Sequence, residues 1–174
     1  MTYQWQSTTT GCGGTFTNIA GATSATYDVP SGLTVTTNYR RIVTSTLNGV
    51  ACTATSNCIT VTVNDVTPGT IGNDETICSG GDPIAFIVIT AATGSGALTY
   101  QWQSSTTGCG GTFANIAGAT SATYDVPSGL TVTTNYRRIV TSTLNGVACT
   151  ARSNCITVTV NDVTPGSVGS DQTI

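Results

Sequence analysis

Leu98-Thr99-Tyr100-Gln101-Trp102-Gln103 alternates large apolar side chains with hydroxyls and amides, the two-residue period of a strand that buries one face. Ile156-Thr157-Val158-Thr159-Val160 alternates in the same way, so Ile156, Val158 and Val160 are expected to point inward and Thr157 and Thr159 toward water. Around these two stretches the pattern predicts further strands at Ile71 to Ile77, Ile84 to Thr90, Phe113 to Ile116, Ala122 to Val126 and Val132 to Thr143. Turn residues punctuate them: Ser79-Gly80-Gly81-Asp82-Pro83, Gly94-Ser95-Gly96, Pro127-Ser128-Gly129 and Asn145-Gly146, the last being the strongest hairpin signal.

The pattern occurs twice. Tyr3 and Tyr100 stand 97 positions apart, and aligning residues 2–77 on residues 99–174 leaves seven mismatches in 76 pairs. These are Thr8/Ser105, Thr17/Ala114, Thr55/Arg152, Thr70/Ser167, Ile71/Val168, Asn73/Ser170 and Glu75/Gln172. Such similarity over a whole domain points to recent tandem duplication in an array of stacked units. The junction is placed at Asn64-Asp65-Val66-Thr67-Pro68-Gly69 and its copy from Asn161, where Pro-Gly stops an alternating strand. Three segments result: residues 1–64 as an incomplete repeat starting at its third strand, residues 65–163 as a complete repeat, and residues 164–174 as the first strand of a next one.

About seven short strands separated by turns, with an aromatic-rich third strand and a Tyr opening the penultimate one, describe tandem immunoglobulin-like β-sandwiches in an all-β fold. In that frame Trp102 is the core Trp, Tyr136 stands at the tyrosine corner, and Tyr100 and the first-copy Trp5 join the core. Tyr100-Gln101-Trp102-Gln103-Ser104-Ser105, Asn115-Ile116-Ala117-Gly118-Ala119-Thr120, Thr123-Tyr124-Asp125-Val126-Pro127 and Tyr136-Arg137-Arg138-Ile139-Val140 together resemble the Ig-like repeats of giant Bacteroidetes cell-surface adhesins, such as the SprB-like gliding-motility adhesins. The resemblance covers essentially the whole repeat, Thr76-Ile77-Cys78-Ser79-Gly80 included. It implies export by the type IX system and display as surface filaments.

Each period carries four Cys: Cys78, Cys109, Cys149 and Cys155. The first copy shows Cys12, Cys52 and Cys58, which leaves Cys52 with a partner outside these residues. Without His, Lys or a C-x-x-C spacing, seven Cys argue for disulfides and an oxidising location outside the cytosol rather than for a metal site. Four Cys allow three connectivities. Similar repeats imply Cys78 with Cys149, leaving Cys109 with Cys155 and Cys12 with Cys58, while Cys78 with Cys155 or a bridge to a neighbouring repeat stays open. A bridge closing several tens of residues stabilises by roughly 3–4 kcal/mol in the chain-entropy picture. Lys-Asn isopeptide cross-links are ruled out by the absence of Lys.

Thr, Ser, Gly, Asn and Val dominate and charges are sparse, with a formal net charge of −3, so no basic or acidic run marks a nucleic-acid partner. The longest apolar run, Ile84 to Ile89, is too short for membrane insertion, and the residues after Met1 do not read as a signal peptide, so an export signal is expected elsewhere. No paired carboxylates and no Ser with a base suggest catalysis, so no enzyme, no catalytic residue and no cofactor is expected. The Gly108-Cys109-Gly110-Gly111 loop lacks the Lys and helix of a phosphate cradle and reads as a disulfide-tied turn. Asp74, Asp82 and Asn161-Asp162 match no compact calcium loop and read as solvated turns. Arg137 and Arg138 point to opposite faces, each pairing across the sheet or covering an aromatic.

Two functions fit. One is a structural and adhesive stalk for surface adhesion or gliding, each repeat adding roughly 35 Å for strands of about ten residues. Its partners are neighbouring repeats, other copies in a filament, and a surface polysaccharide or substratum. The other is a multivalent carbohydrate- or protein-binding module, which requires exposed aromatics or a polar groove on every repeat. Residues 1–64 lack the apolar strand that should cover Trp5, so alone they are expected not to fold, the covering strands coming from a longer array or another copy. Thermal melting of that isolated segment checks this: a cooperative, monomeric transition contradicts the expectation.

Overall fold

The computed structural model describes residues 1–169 and 171–173. It is all-β and folds as two compact units, Met1–Val63 and Asn64–Ile174. Unit 1 holds β1 (Thr2–Thr8), β2 (Thr17–Asn18), β3 (Thr37–Leu47), β4 (Val50–Thr55) and β5 (Ile59–Val61) in one antiparallel sheet. Long β3 is its spine, pairing with β1 along one edge and with β5 and then β4 along the other.

Unit 2 holds β6 (Val66–Thr67), β7 (Thr70–Gly72), β8 (Glu75–Cys78), β9 (Ile87–Thr90), β10 (Thr93–Gly94), β11 (Ala97–Ser105), β12 (Ala114–Asn115), β13 (Thr134–Leu144), β14 (Val147–Arg152) and β15 (Ile156–Asn161). One sheet runs β12-β11-β13-β15-β8, with β14 also on β13 and β8 parallel to β15. Facing it is the antiparallel pair β7-β9, while β6 pairs with β10. The result is an immunoglobulin-like sandwich whose core gathers Ile71 and Phe86 from the small sheet and Trp102, Tyr136, Ile156 and Val158 from the large one. Ile156 and Val158 are buried and Thr159 is exposed, the alternation their sequence predicts.

Five elements differ from the sequence expectation. Ile71 to Ile77 is two strands rather than one, because Asn73 takes a φ of 86° between them and turns the chain from the small sheet to the edge of the large one. Ala122 to Val126 is not a strand; it is irregular chain held by the Phe86 N–H on Tyr124 O at 2.9 Å. The Asn145-Gly146 turn returns into β14, which small residues such as Ala148 and Ala151 left unmarked in the pattern, and its φ values of 49° and 80° fit a type I′ hairpin. The run from Ile84 is not uniformly buried. Phe86 is 1 % exposed, whereas Ile84, in the irregular chain before β9, is 67 % exposed, and Ile87 and Ile89, on the outer side of that short edge strand, are 50 and 66 % exposed. Finally, residues 164–169 form no strand, since no neighbouring strand pairs with them; Ser170 and Ile174 of the expected strand lie outside the described residues.

Phe86 is therefore the main plug of unit 2. Its ring lies 5.6 Å from Trp102 and 5.1 Å from Tyr136, centroid to centroid. Phe86→Ala is expected to destabilise unit 2 by about 3–5 kcal/mol, read as an earlier denaturant transition of Trp102.

Candidate functional site

The polar chemistry of each unit collects at two places, a disulfide staple and an arginine lock. At the staple, Cys109 and Cys155 are bonded with Cα atoms 5.8 Å apart and a sequence separation of 46. The Gly108-Gly111 turn, closed by Gly111 N–H on Gly108 O at 3.0 Å, lifts Cys109 toward the start of β15. Asn135, 6 % exposed, organises the chain beneath: its Oδ1 accepts from Thr157 Oγ1 at 2.9 Å and its Nδ2 donates to Ser105 O at 3.3 Å. Three strands thus meet at one buried amide. Unit 1 repeats the arrangement with Cys12–Cys58, separation 46, over Asn38, whose Oδ1 accepts from Thr60 Oγ1 at 2.7 Å.

Cys109 with Cys155 and Cys12 with Cys58 are the pairs expected from sequence. Cys78 with Cys149 is not formed: both are free thiols, as is Cys52. The topology explains this, because Cys78 ends β8 opposite Asn161 while Cys149 lies on β14 opposite Ser142 of β13, so they occupy different strands of the large sheet with no shared register. Cys78 with Cys155 is excluded by the Cys109 bond.

At the lock, Arg138 is 1 % exposed, with its guanidinium carbon 4.9 Å above the Tyr100 ring and 6.0 Å from Trp102. Nη2 donates to Pro68 O at 2.9 Å and Nη1 donates to Ala122 O. Burial pushes its pKa down, partly offset by Tyr100, so two carbonyls and two aromatic faces carry the charge. Arg137, on the opposite face, lies 4.0 Å over Phe113 and donates Nε–H to Gln103 Oε1 at 2.7 Å. Burial, with Arg152 second, lowers its pKa also. Both arginines therefore cover aromatics.

Of the four expected core aromatics, Trp102 and Tyr136 are buried at 0 and 4 %, and desolvation raises the Tyr136 pKa. Tyr100 is only half-buried, because Arg138 rather than a strand covers it, and Trp5 is half-buried too. Around Trp5, unit 1 has a cavity of about 340 Å³ lined by Tyr27, Arg41, Asn57 and Ile59 among others. The matching residues in unit 2 are Trp102, Tyr124, Arg138, Asn154 and Ile156, and there Ile71 and Phe86 occupy the space. Sequence reasoning missed Asn154, whose side chain brackets Ile71 by accepting from its N–H at 2.9 Å and donating to its O at 2.8 Å. It also missed Asn64, which donates to Ser142 O at 2.7 Å and Val147 O at 2.8 Å. Neither carries a signal beyond its turn-like setting. Asp74 accepts from Thr157 N at 2.6 Å, a backbone cap.

The family of domains of unknown function DUF8696 matches residues 1–65 and again residues 67–162. The chain belongs to the DUF8696 family. It carries two tandem DUF8696 matches. No curated protein and no solved structure matches the chain. Its disulfides fit a DUF8696 protein that folds in an oxidising compartment outside the cytosol, and among the described residues no helix is long and apolar enough to cross a membrane.

Under native, non-reducing conditions an alkylating reagent is expected to modify Cys52 and Cys78 readily and half-buried Cys149 more slowly, leaving the four bonded Cys untouched until reduction. Peptide mass mapping reads the result, and a Cys78–Cys149 bridge in the native chain would contradict it.

Proposed function

We propose that this DUF8696 chain is part of a structural and adhesive stalk, a non-enzymatic spacer repeat of a filamentous bacterial cell-surface protein. The observation that carries the reading is where the aromatic rings go. Among the described residues every Phe, Tyr and Trp is buried or half-buried, and the half-buried Tyr100 and Phe113 lie beneath Arg138 and Arg137. Neither face of unit 2 offers the flat, open ring on which a sugar stacks. The wet faces carry Thr, and near-identical tandem copies suit a protein whose product is length.

The multivalent binding module draws its support from the cavity beside Trp5. That cavity does not recur: in unit 2 the same position is filled by the chain's own Phe86 and Ile71. A ligand site repeated along an array would be open in every copy. Cell-surface adhesion with roles in attachment or gliding, and export by the type IX route, extend the stalk reading through its resemblance to Bacteroidetes adhesin repeats.

In a stalk the Cys109–Cys155 bond shields the chain between them, a separation of 46 residues, from tension. Single-molecule pulling is expected to show each unit's contour gain rise by roughly 150 Å on reduction, the extended length of the released loop. Antibodies against the repeat should label intact cells of the producing bacterium, and loss of its gene should weaken attachment to a surface. Confinement of the protein to the cell interior would overturn the stalk.

A further inference from the structure

Arg40 and Arg41 recur as Arg137 and Arg138, but the fifth arginine of the chain, Arg152, has no counterpart: Thr55 stands at its place in the first copy. Of the seven differences between the copies, this is the only one that adds a charge. The strand register of unit 2 says where that charge goes. Arg152 of β14 is the cross-strand partner of Ile139 on β13, and Arg137, two residues before Ile139, is the partner of Gln103 on β11. Cross-strand partners share a face, as do residues two apart on one strand, so Arg137, Ile139 and Arg152 all project from the outer face, away from buried Arg138 and Val140. Arg137 and Arg152 are therefore diagonal neighbours, a relation that sets positions about 7–8 Å apart and lets long side chains meet.

Arg137 is the fixed member of the pair. Its guanidinium carbon lies 4.0 Å over Phe113, its Nε–H donates to Gln103 Oε1 at 2.7 Å, and Gln103 Nε2 donates in turn to Asn115 Oδ1 at 2.7 Å. The chain of bonds holds the guanidinium by its Nε side and leaves its Nη edge without a partner among the described residues. Arg152 is exposed beside it. Burial and then Arg152 push the Arg137 pKa down, and no carboxylate is among the groups that act on it. Two like charges on one face, in a chain whose formal net charge is −3, are relieved by an oxyanion between them.

The surroundings narrow the ligand. Two residues further along the same face, Thr99, Thr141 and Thr150 form a row of hydroxyls across β11, β13 and β14. Both edges of β11 and of β13 are taken by neighbouring strands, so an incoming peptide cannot add to them as a strand. A flat face of hydroxyls and amides instead suits the hydroxyls of a sugar chain. The exposed isoleucines of β9 and the free thiols carry less, since nothing shows what covers the former and each thiol stands alone.

We propose that the outer face of β11, β13 and β14 in unit 2 is a binding site for an acidic polysaccharide, with Arg137 and Arg152 clamping a uronate carboxylate and Thr99, Thr141 and Thr150 bonding the sugar hydroxyls beside it. Arg137 supplies a preset fork, and Arg152 closes on the carboxylate from the diagonal position. Unit 1 carries only the fixed half: Arg40 lies 4.1 Å over Phe16 and donates Nε–H to Gln6 Oε1 at 2.8 Å, with Thr55 where the second arginine would stand. One complete site per chain follows. The site goes beyond the stalk reading and does not rest on it, because it is built from strand register alone; in a stalk it gives the adhesive contact its chemistry.

Isothermal titration calorimetry of the full chain with hexagalacturonate tests this, against the fully methyl-esterified hexamer and against hexaglutamate, which carries carboxylates on a peptide. Arg152→Thr restores the residue that unit 1 holds in the same register, where β4 forms, so the fold is kept; Thr55→Arg builds the missing half into unit 1. Expected are one hexagalacturonate per native chain, affinity at least tenfold weaker after Arg152→Thr, two hexamers per chain after Thr55→Arg, and at least tenfold weaker binding of the ester and of hexaglutamate. No binding of hexagalacturonate at millimolar concentration overturns the site, as does unchanged affinity after Arg152→Thr or a Thr55→Arg chain that still takes one hexamer. Ester bound as tightly as the acid removes the carboxylate clamp and overturns it too, and hexaglutamate bound as tightly makes the face a site for acidic peptide instead.

Discussion

Burial of the Trp102 indole beneath Phe86 and Ile71 is the interaction on which unit 2 depends. The indole is fully buried, with its Nε1–H donating to Ser121 O at 2.9 Å. Ile71 lies on β7 and Phe86 just before β9, short strands that would have little independent stability. What fixes them is the polar frame around the apolar contact: Arg138 on Pro68, Asn154 on Ile71, and Asn64 on Ser142. Each satisfies a backbone or hydroxyl group that burial would otherwise leave unpaired, so the apolar contact and the polar frame form together.

Unit 1 shows the same large sheet without that cover. Trp5 keeps its bond to Ser24 O at 3.1 Å, and Arg41 keeps its place over Tyr3 at 4.9 Å, yet Trp5 is only half-buried and a cavity opens beside it. The local geometry of the sheet is therefore set by strand pairing, hairpin and staple, and the small sheet adds the seal. Division of labour of this kind suits a repeated unit: the large sheet with its disulfide resists opening, and the segment around Ile71 and Phe86 supplies the remaining core side chains.

Much of this was legible in the sequence because alternation and turn chemistry act locally. Tyr100 and Trp102 marked β11, Ile156 and Val158 marked β15, and Asn145-Gly146 marked the hairpin. Cys109–Cys155 and Cys12–Cys58 were expected only as the pairs left over once the resemblance had joined Cys78 to Cys149. What the pattern hid was long-range. Whether Ile87 or Phe86 faces the core depends on which side of a short edge strand meets the sheet, and a run of six apolar residues carries no alternation to say so. Asn154 and Asn64 look like ordinary turn residues until the chain brings backbone groups 83 and 78 residues away within reach. The Cys78–Cys149 expectation failed for the same reason, since it came from resemblance rather than from strand register.

Hydrogen exchange at the two indole N–H groups reads the central claim directly, because Trp5 and Trp102 have the same bonding partner type and differ in their cover. Exchange at Trp102 should be slower than at Trp5 by at least tenfold in dilute solution, where copies are separate. Equal rates at the two indoles would contradict the account, since they would mean that Phe86 and Ile71 do not seal the core.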